Sequence, residues 1–282
     1  MAKLFAKLVT LITPKRAWFQ FRLITVFIVV AVICVWLSMQ VHRANKQREA
    51  VAAVTASGGW VRYDFQFVQG KFDPEATSWM SGWLKPRLGD DLFHDVVEVN
   101  LVYNDDAKTR LDNHNESDEV LGSLAGFPHL KRLLLHGAQA SDDGMAHVGN
   151  LRELEEIYMW DAKNVGDKGI ARLASLQRLK KIHVSHSRIT DESLRVFGRM
   201  SHMERLALQD NHFTDRGLAH LAGLSRLDGL YIGIGDCQVT DAGLAQLEGL
   251  PVLTTLELQG SKVSDQGIKR LNDKRPKLKI IK

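Results

Sequence analysis

The chain has 282 residues and 31.7 kDa, 45% hydrophobic and 25% charged, a globular composition that excludes a wholly disordered or collagen-like polymer. Its net charge of +4 is unevenly placed: residues 1–48 carry eight Lys or Arg and no acid, leaving 29 basic against 33 acidic residues. The larger part is mildly acidic, which excludes phosphate-backbone binding as its main task and leaves no nucleic-acid partner expected.

Residues 1–22 read as a basic amphipathic segment. Leu4, Phe5, Leu8, Leu11 and Ile12 share one helical face and Lys3, Lys7 and Thr10 the other, until Pro14 stops the pattern. Such a segment is expected on the inner leaflet, lysines on anionic headgroups. Residues 23–41 carry no charge, and as a helix they extend roughly 28 Å, enough to cross a bilayer. Trp18, Phe19 and Trp36 lie near the ends of this stretch, where amphipathic rings favour headgroups. A charged run from His42 to Arg48 follows, not the small-residue cleavage site of a signal peptide. Five basic residues precede the stretch and three follow it closely. The expected arrangement is therefore a single pass through the inner (cytoplasmic) membrane, N-terminus inside, with membrane lipid as the partner of residues 1–41 and the remainder on the periplasmic or extracellular side.

Residues 42–95 read as a juxtamembrane helix and an N-terminal cap. Residues 47–56 favour helix, Gly58 and Gly59 break it, and residues 60–68 alternate like a single strand. An irregular loop over 69–86 and a short helix over 88–95 complete the cap. The two cysteines, Cys34 and Cys237, form no disulfide framework.

From residue 96 to residue 282 the sequence repeats itself. Units starting at Pro128, Arg152, Gln177, Ser201, Ser225 and Pro251 have 24 to 26 residues, each opening on a Leu-x-x-Leu-x-Leu pattern or a close variant such as Met203-Glu204-Arg205-Leu206-Ala207-Leu208. Each continues with a Ser/Thr-Asp-x-Gly-Leu element, cleanest in Thr214-Asp215-Arg216-Gly217-Leu218. Alternating apolar positions predict a strand and the later three-residue steps a short helix, giving an α/β class with strand and helix at constant period. The Ser or Thr suits a helix N-cap, and the following Asp places negative charge at the positive end of the helix dipole. That capping role accounts for Asp118, Asp142, Asp167, Asp191, Asp215, Asp241 and Asp265 without metal or acid chemistry.

These units resemble bacterial-type leucine-rich repeats. The resemblance implies a solenoid with a parallel sheet on its concave face and short helices on its convex face. The asparagine position of the general pattern is here Ala138, Ala162, Ser187, Asn211 and Ser261, so an asparagine ladder is mostly missing. With its basic start, one apolar helix and a cap leading into repeats, the whole chain is similar to a group of single-pass membrane leucine-rich repeat proteins of planctomycete-type bacteria.

No His-Glu-x-x-His, Gly-x-Ser-x-Gly, Cys-x-x-Cys or Walker motif occurs, so no catalytic residue, cofactor or metal is expected and the chain reads as a non-enzyme. An insertion at 104–117, rich in Asp and Asn, reads as a solvated loop. What remains is surface: Arg132, His136, Tyr158, Trp160, His183, Arg205 and Tyr231 fall at outward strand positions, with aromatic and Arg enrichment typical of interaction surfaces. The expected function is a membrane-anchored interaction module that holds a protein or cell-envelope polymer on its concave face. The alternatives are an F-box-like ubiquitin-ligase substrate adaptor, since similar repeats occur in F-box proteins, and an enzyme with an unrecognised concave site.

Overall fold

The computed structural model describes residues 16–78, 89–101, 114–135, 140–233 and 237–282, with the side chains of 16–22 and 114–117 left out of that description. The chain divides into two units, Met1–Asn45 and Lys46–Lys282. Helix α1 runs over Arg16–Ala56. Within residues 23–41 its large apolar side chains are exposed, from 44% at Val41 to 67% at Met39. Exposed apolar area of this kind is unfavourable in water by about 25 cal/mol per Å². Among the described residues α1 is the one helix long and apolar enough to cross a membrane, a candidate span by length and composition. Of the amphipathic segment expected over residues 1–22, residues 1–15 lie outside the described residues and 16–22 belong to α1.

In the second unit the end of α1 contributes Ala50 and Val54 to the core. Strand β1 (Trp60–Tyr63) follows, then a two-strand hairpin of β2 (Phe67–Val68) and β3 (Lys71–Phe72). The single strand expected over 60–68 is therefore broken. A 3₁₀ turn at Asp64–Gln66 interrupts it, because Gln66 Oε1 folds back to accept the Tyr63 N–H (2.9 Å) while the Asp64 N–H leaves the ladder for the Asp95 carbonyl (2.9 Å). The hairpin turns through Gln69 and Gly70, both at positive φ, the pattern that suits a tight two-residue connection. In place of a short helix over 88–95 there is one 3₁₀ turn, Asp90–Leu92.

The repeats then alternate as β4 (Val96–Asn100), α2 (His114–Ser123), β5 (Arg132–Leu134), α3 (Met145–Val148), β6 (Glu156–Met159) and α4 (Asp167–Arg172). They continue as β7 (Lys181–Val184), α5 (Asp191–Phe197), β8 (Arg205–Ala207), α6 (Asp215–Ala219) and β9 (Gly229–Tyr231). The series closes with α7 (Asp241–Leu247), β10 (Thr255–Glu257), α8 (Asp265–Lys274) and β11 (Lys279–Ile281). Strands β4 to β11 are parallel neighbours in chain order, and β1 closes the β4 edge antiparallel, so the described sheet has nine strands. Residues 104–113 of the expected insertion lie outside the described residues.

Strand period two decides which side chains enter the core. Leu133, Ile157, Ile182, Leu206, Leu230 and Leu256 occupy one register row and are at most 2% exposed. Burying each contributes about 1.5–3 kcal/mol. The alternate residues face away from the helices and form the open face of the sheet.

The repeat aspartates do more than complement a helix dipole. Asp167 Oδ1 and Oδ2 accept from the N–H and hydroxyl of Thr190 in the next unit (2.9 and 2.7 Å), and Asp215 does the same for Thr240 (2.8 and 2.6 Å). Thr190, Thr214 and Thr240 in turn cap their own helices, accepting from the N–H groups of Glu192, Arg216 and Ala242. Each carboxylate thus ties one repeat to the cap of the next. A Cβ on Gly169, Gly217, Gly243 or Gly267 would fall 2.2–2.7 Å from an Oδ1 of the preceding repeat's Asp, so the glycine in the motif makes room for that carboxylate. Ser193 holds the same position in its unit and donates its hydroxyl to Asp167 Oδ1 (2.5 Å).

Candidate functional site

Two register rows of the open face carry its chemistry. The first runs Arg62, Glu98, Arg132, Glu156, Lys181 and Arg205 across successive strands. From Arg62 to Lys181 its charges alternate and pair: Arg62 with Glu98 (2.6 Å), Arg132 with Glu98 (2.5 Å) and Glu156 (2.9 Å), and Lys181 with Glu156 (2.8 Å). Arg205 pairs with Asp228 at 3.0 Å. The Glu98 side chain, only 3% exposed, sits between two guanidinium groups, and removing either would leave a buried charge undercompensated. Burial opposes ionisation of Glu156, but hydrogen bonds from Lys181 and Tyr158 and the charges of Arg132 and Lys181 hold its carboxyl below the ordinary range. Arg132 and Arg205, expected as binding cations, are therefore already neutralised by neighbours.

The second row runs Leu134, Tyr158, His183, Ala207, Tyr231 and Glu257. The rings of Tyr158 and Trp160 stack with centroids 5.5 Å apart and planes 15° from parallel, and His183 meets both, at 6.4 and 4.9 Å. The Tyr158 hydroxyl donates to Glu156 (3.0 Å). Burial and the Glu156 carboxylate push the Tyr158 pKa up to about 12, so the phenol stays neutral. Burial also lowers the pKa of His183, favouring its neutral form. Tyr231 stands two strands from His183 with Ala207 between them, its ring lying over Gly229, where a Cβ would come 3.0 Å from Tyr231 Cε2. It is not a member of the stacked group. His136 lies outside the described residues.

The two repeats that carry the cluster are tied by three parallel cross-repeat ion pairs. Glu153 pairs with Arg178, Glu155 with Lys180 (2.9 Å) and Glu156 with Lys181 (2.8 Å). Inter-repeat charge pairing of this kind was readable in the sequence as alternating sign at one repeat position, once the unit length is known. Next to it, a cleft of about 400 Å³ lies between the β2–β3 hairpin and the first strands, bordered by Phe67, Glu98, Arg132 and Glu155. The Arg132 guanidinium lies 5.8 Å from the Phe67 ring, and the Arg62 guanidinium 3.7 Å from that of Phe72, so cation–π contacts join the hairpin to the open face. Among the described residues no group of three His, Cys, Asp or Glu side chains is placed to hold a metal ion. Cys237 is buried, which pushes its thiol pKa up and away from thiolate reactivity.

The family described as Leucine Rich repeat matches residues 199–222. The matched stretch contains β8, α6 and Thr214, and the other units share its register, which gives the second unit a fold like a leucine-rich repeat solenoid, with a parallel sheet and helices. Among solved structures the chain is similar to internalin C2 of Listeria monocytogenes, at 26% identity over 66% of this chain and 70% of that chain, with a TM-score of 0.46. It is also similar to an internalin (inlF) of the same organism, at 17% identity over 57% of this chain and 56% of that one, with a TM-score of 0.36. No curated protein sequence matches significantly.

Proposed function

We propose that this leucine-rich repeat chain is a membrane-anchored interaction module whose open sheet face captures a protein partner through Tyr158, Trp160 and His183. In this reading α1 is the anchor, residues 1–22 face the cytoplasm, and the repeats stand outside the inner membrane. The observation that carries the binding assignment is the stacked Tyr158–Trp160 pair with His183 against both. Three aromatic side chains converge on a pair of repeats locked together by three ion pairs. Rigid, half-buried aromatic anchors dominate protein interfaces because they bury large area with little loss of rotamer freedom. The ladder beside them is self-compensated, so the face does not call for a polyanion. Arg132 and Arg205 serve this site as a paired frame, and Tyr231 is a peripheral contact.

The test is the full chain carrying Tyr158→Ala and Trp160→Ala, assayed for cross-linked partner capture in native membranes and for melting temperature. Capture should fall by about thirtyfold or more, the effect of losing roughly 2 kcal/mol at an interface anchor, while melting changes little. Unchanged capture, together with loss of capture in the helix-side variant Arg172→Glu, would assign the partner to the opposite face.

A further inference from the structure

Three side chains of the cap, away from the aromatic group, form a continuous hydrogen-bonded chain. Ser78 Oγ lies 2.8 Å from His94 Nε2, and His94 Nδ1 lies 3.1 Å from Asp64 Oδ1. The His94 side chain is 5% exposed and its ring packs on Phe65 at 4.6 Å between centroids. Its backbone is clamped on both sides: the N–H donates to the Asp90 carbonyl (2.9 Å), and the carbonyl accepts from Gln47 Nε2 (2.8 Å). The Asp64 carboxylate is itself held by the Phe65 N–H at 2.8 Å. The ring therefore has one orientation.

Hydrogen-bond chemistry then fixes the tautomer. An ionised carboxylate only accepts, so Nδ1 carries the hydrogen and the Nε2 lone pair faces the Ser78 hydroxyl. This is the order of a nucleophile, its base and the acid that orients the base. Asp64, Ser78 and His94 are separated by fourteen and sixteen residues, in no motif, so only the folded cap brings them together.

We propose that Ser78, His94 and Asp64 make the cap an acyl-transfer site for carboxylic esters. Ser78 Oγ attacks the ester carbonyl as its proton passes to His94 Nε2. Asp64 stabilises the imidazolium, which returns the proton to the departing alkoxide as the C–O bond breaks, leaving acyl-Ser78. Water attacks that ester with His94 again as base, releasing the carboxylic acid and restoring the serine. Ser78 and His94 are the catalytic residues in this proposal, and Asp64 is a positioning residue.

The experiment exposes the full chain, in detergent at neutral pH, to a biotinylated alkyl fluorophosphonate and maps the adduct by mass spectrometry. The expected result is modification of Ser78 and its loss in Ser78→Ala. Labelling should slow by about 100-fold in Asp64→Asn and recover in part in Asp64→Glu, with circular dichroism and melting unchanged across the set. Hydrolysis of p-nitrophenyl acetate should follow the same order. Absence of a Ser78 adduct, or labelling indifferent to Asp64→Asn, overturns the proposal, and a lowered melting temperature as the sole effect of Ser78→Ala would reduce the chain of bonds to a structural latch. None of these outcomes bears on partner capture by the sheet.

Discussion

The carboxylate of Asp191 accepts hydrogen bonds from the backbone N–H (2.8 Å) and the hydroxyl (2.6 Å) of Thr214, one repeat further along the chain. The contact satisfies an otherwise orphaned helix N-terminal donor of the next repeat with a charged acceptor of the one before it. Recurrence at Asp118, Asp167, Asp215 and Asp241 turns a local cap into the device that couples neighbours.

Gly217 is where this coupling is most sensitive to volume. An added Cβ would lie 2.3 Å from Asp191 Oδ1, whereas nothing lies within 4 Å of one on Gly223. Gly217→Ala should cost about 2 kcal/mol, lowering the melting temperature by about 5 °C, while Gly223→Ala should be neutral or slightly stabilising. Gly217→Ser should recover part of the loss, because Ser193 shows a serine at the equivalent position hydrogen-bonding the equivalent carboxylate, Asp167. Thermal melts of the three variants check the order.

Asp215→Ala should destabilise by about 1–3 kcal/mol, since the N–H and hydroxyl of Thr240 lose their acceptor. Asp265→Ala should change stability by under about 0.5 kcal/mol, because this side chain is 95% exposed and pairs with Lys282. Urea titrations with equal slopes would measure both, and equal losses would contradict the ladder.

Acid should weaken the β6–β7 region through two groups that act in the same direction. The folded pKa of Glu156 lies below its ordinary 4.5, so its contribution is complete above about pH 4.5 and is lost as pH falls through the folded value. His183 is held below its ordinary 6.5 by burial. The unfolded chain therefore binds the proton more readily, and stability declines as pH drops from about 6.5 toward the folded value. Glu156→Gln should flatten the more acidic limb of stability against pH, and His183→Phe the limb just below neutrality.

Removing residues 201–224, one whole repeat, should shorten the solenoid and leave it folded. The deletion joins units with the same grammar, so Asp191 can receive Thr240 in place of Thr214 and the core row loses only Leu206. Leu206→Asp should be worse, because it places an unpaired charge at a fully buried position. Circular dichroism and melting would separate the two, and a deletion as damaging as Leu206→Asp would argue against independent units.

Much of this was legible before any coordinates. Alternation around Leu206 and Leu230 foretold core-facing strand positions because a strand's side-chain period is two, and Thr214, Thr240 and Ser264 announced helix starts because a hydroxyl can accept from the first turn. The candidate site was legible in part. Tyr158, Trp160 and His183 converge as their positions implied, but Tyr231 sits beyond Ala207, and aromatic count alone carries no distance.

By itself the sequence determined the repeat, its period, the strand and helix of each unit and the apolar stretch at 23–41, since these follow from local spacing and from the separation of apolar from charged residues. Only tertiary structure decided that Asp191 reaches Thr214, that Arg132 is shared by Glu98 and Glu156, and that Ser78, His94 and Asp64 meet in the cap. Each of these links residues fourteen or more positions apart, and their contact depends on how the chain stacks on itself.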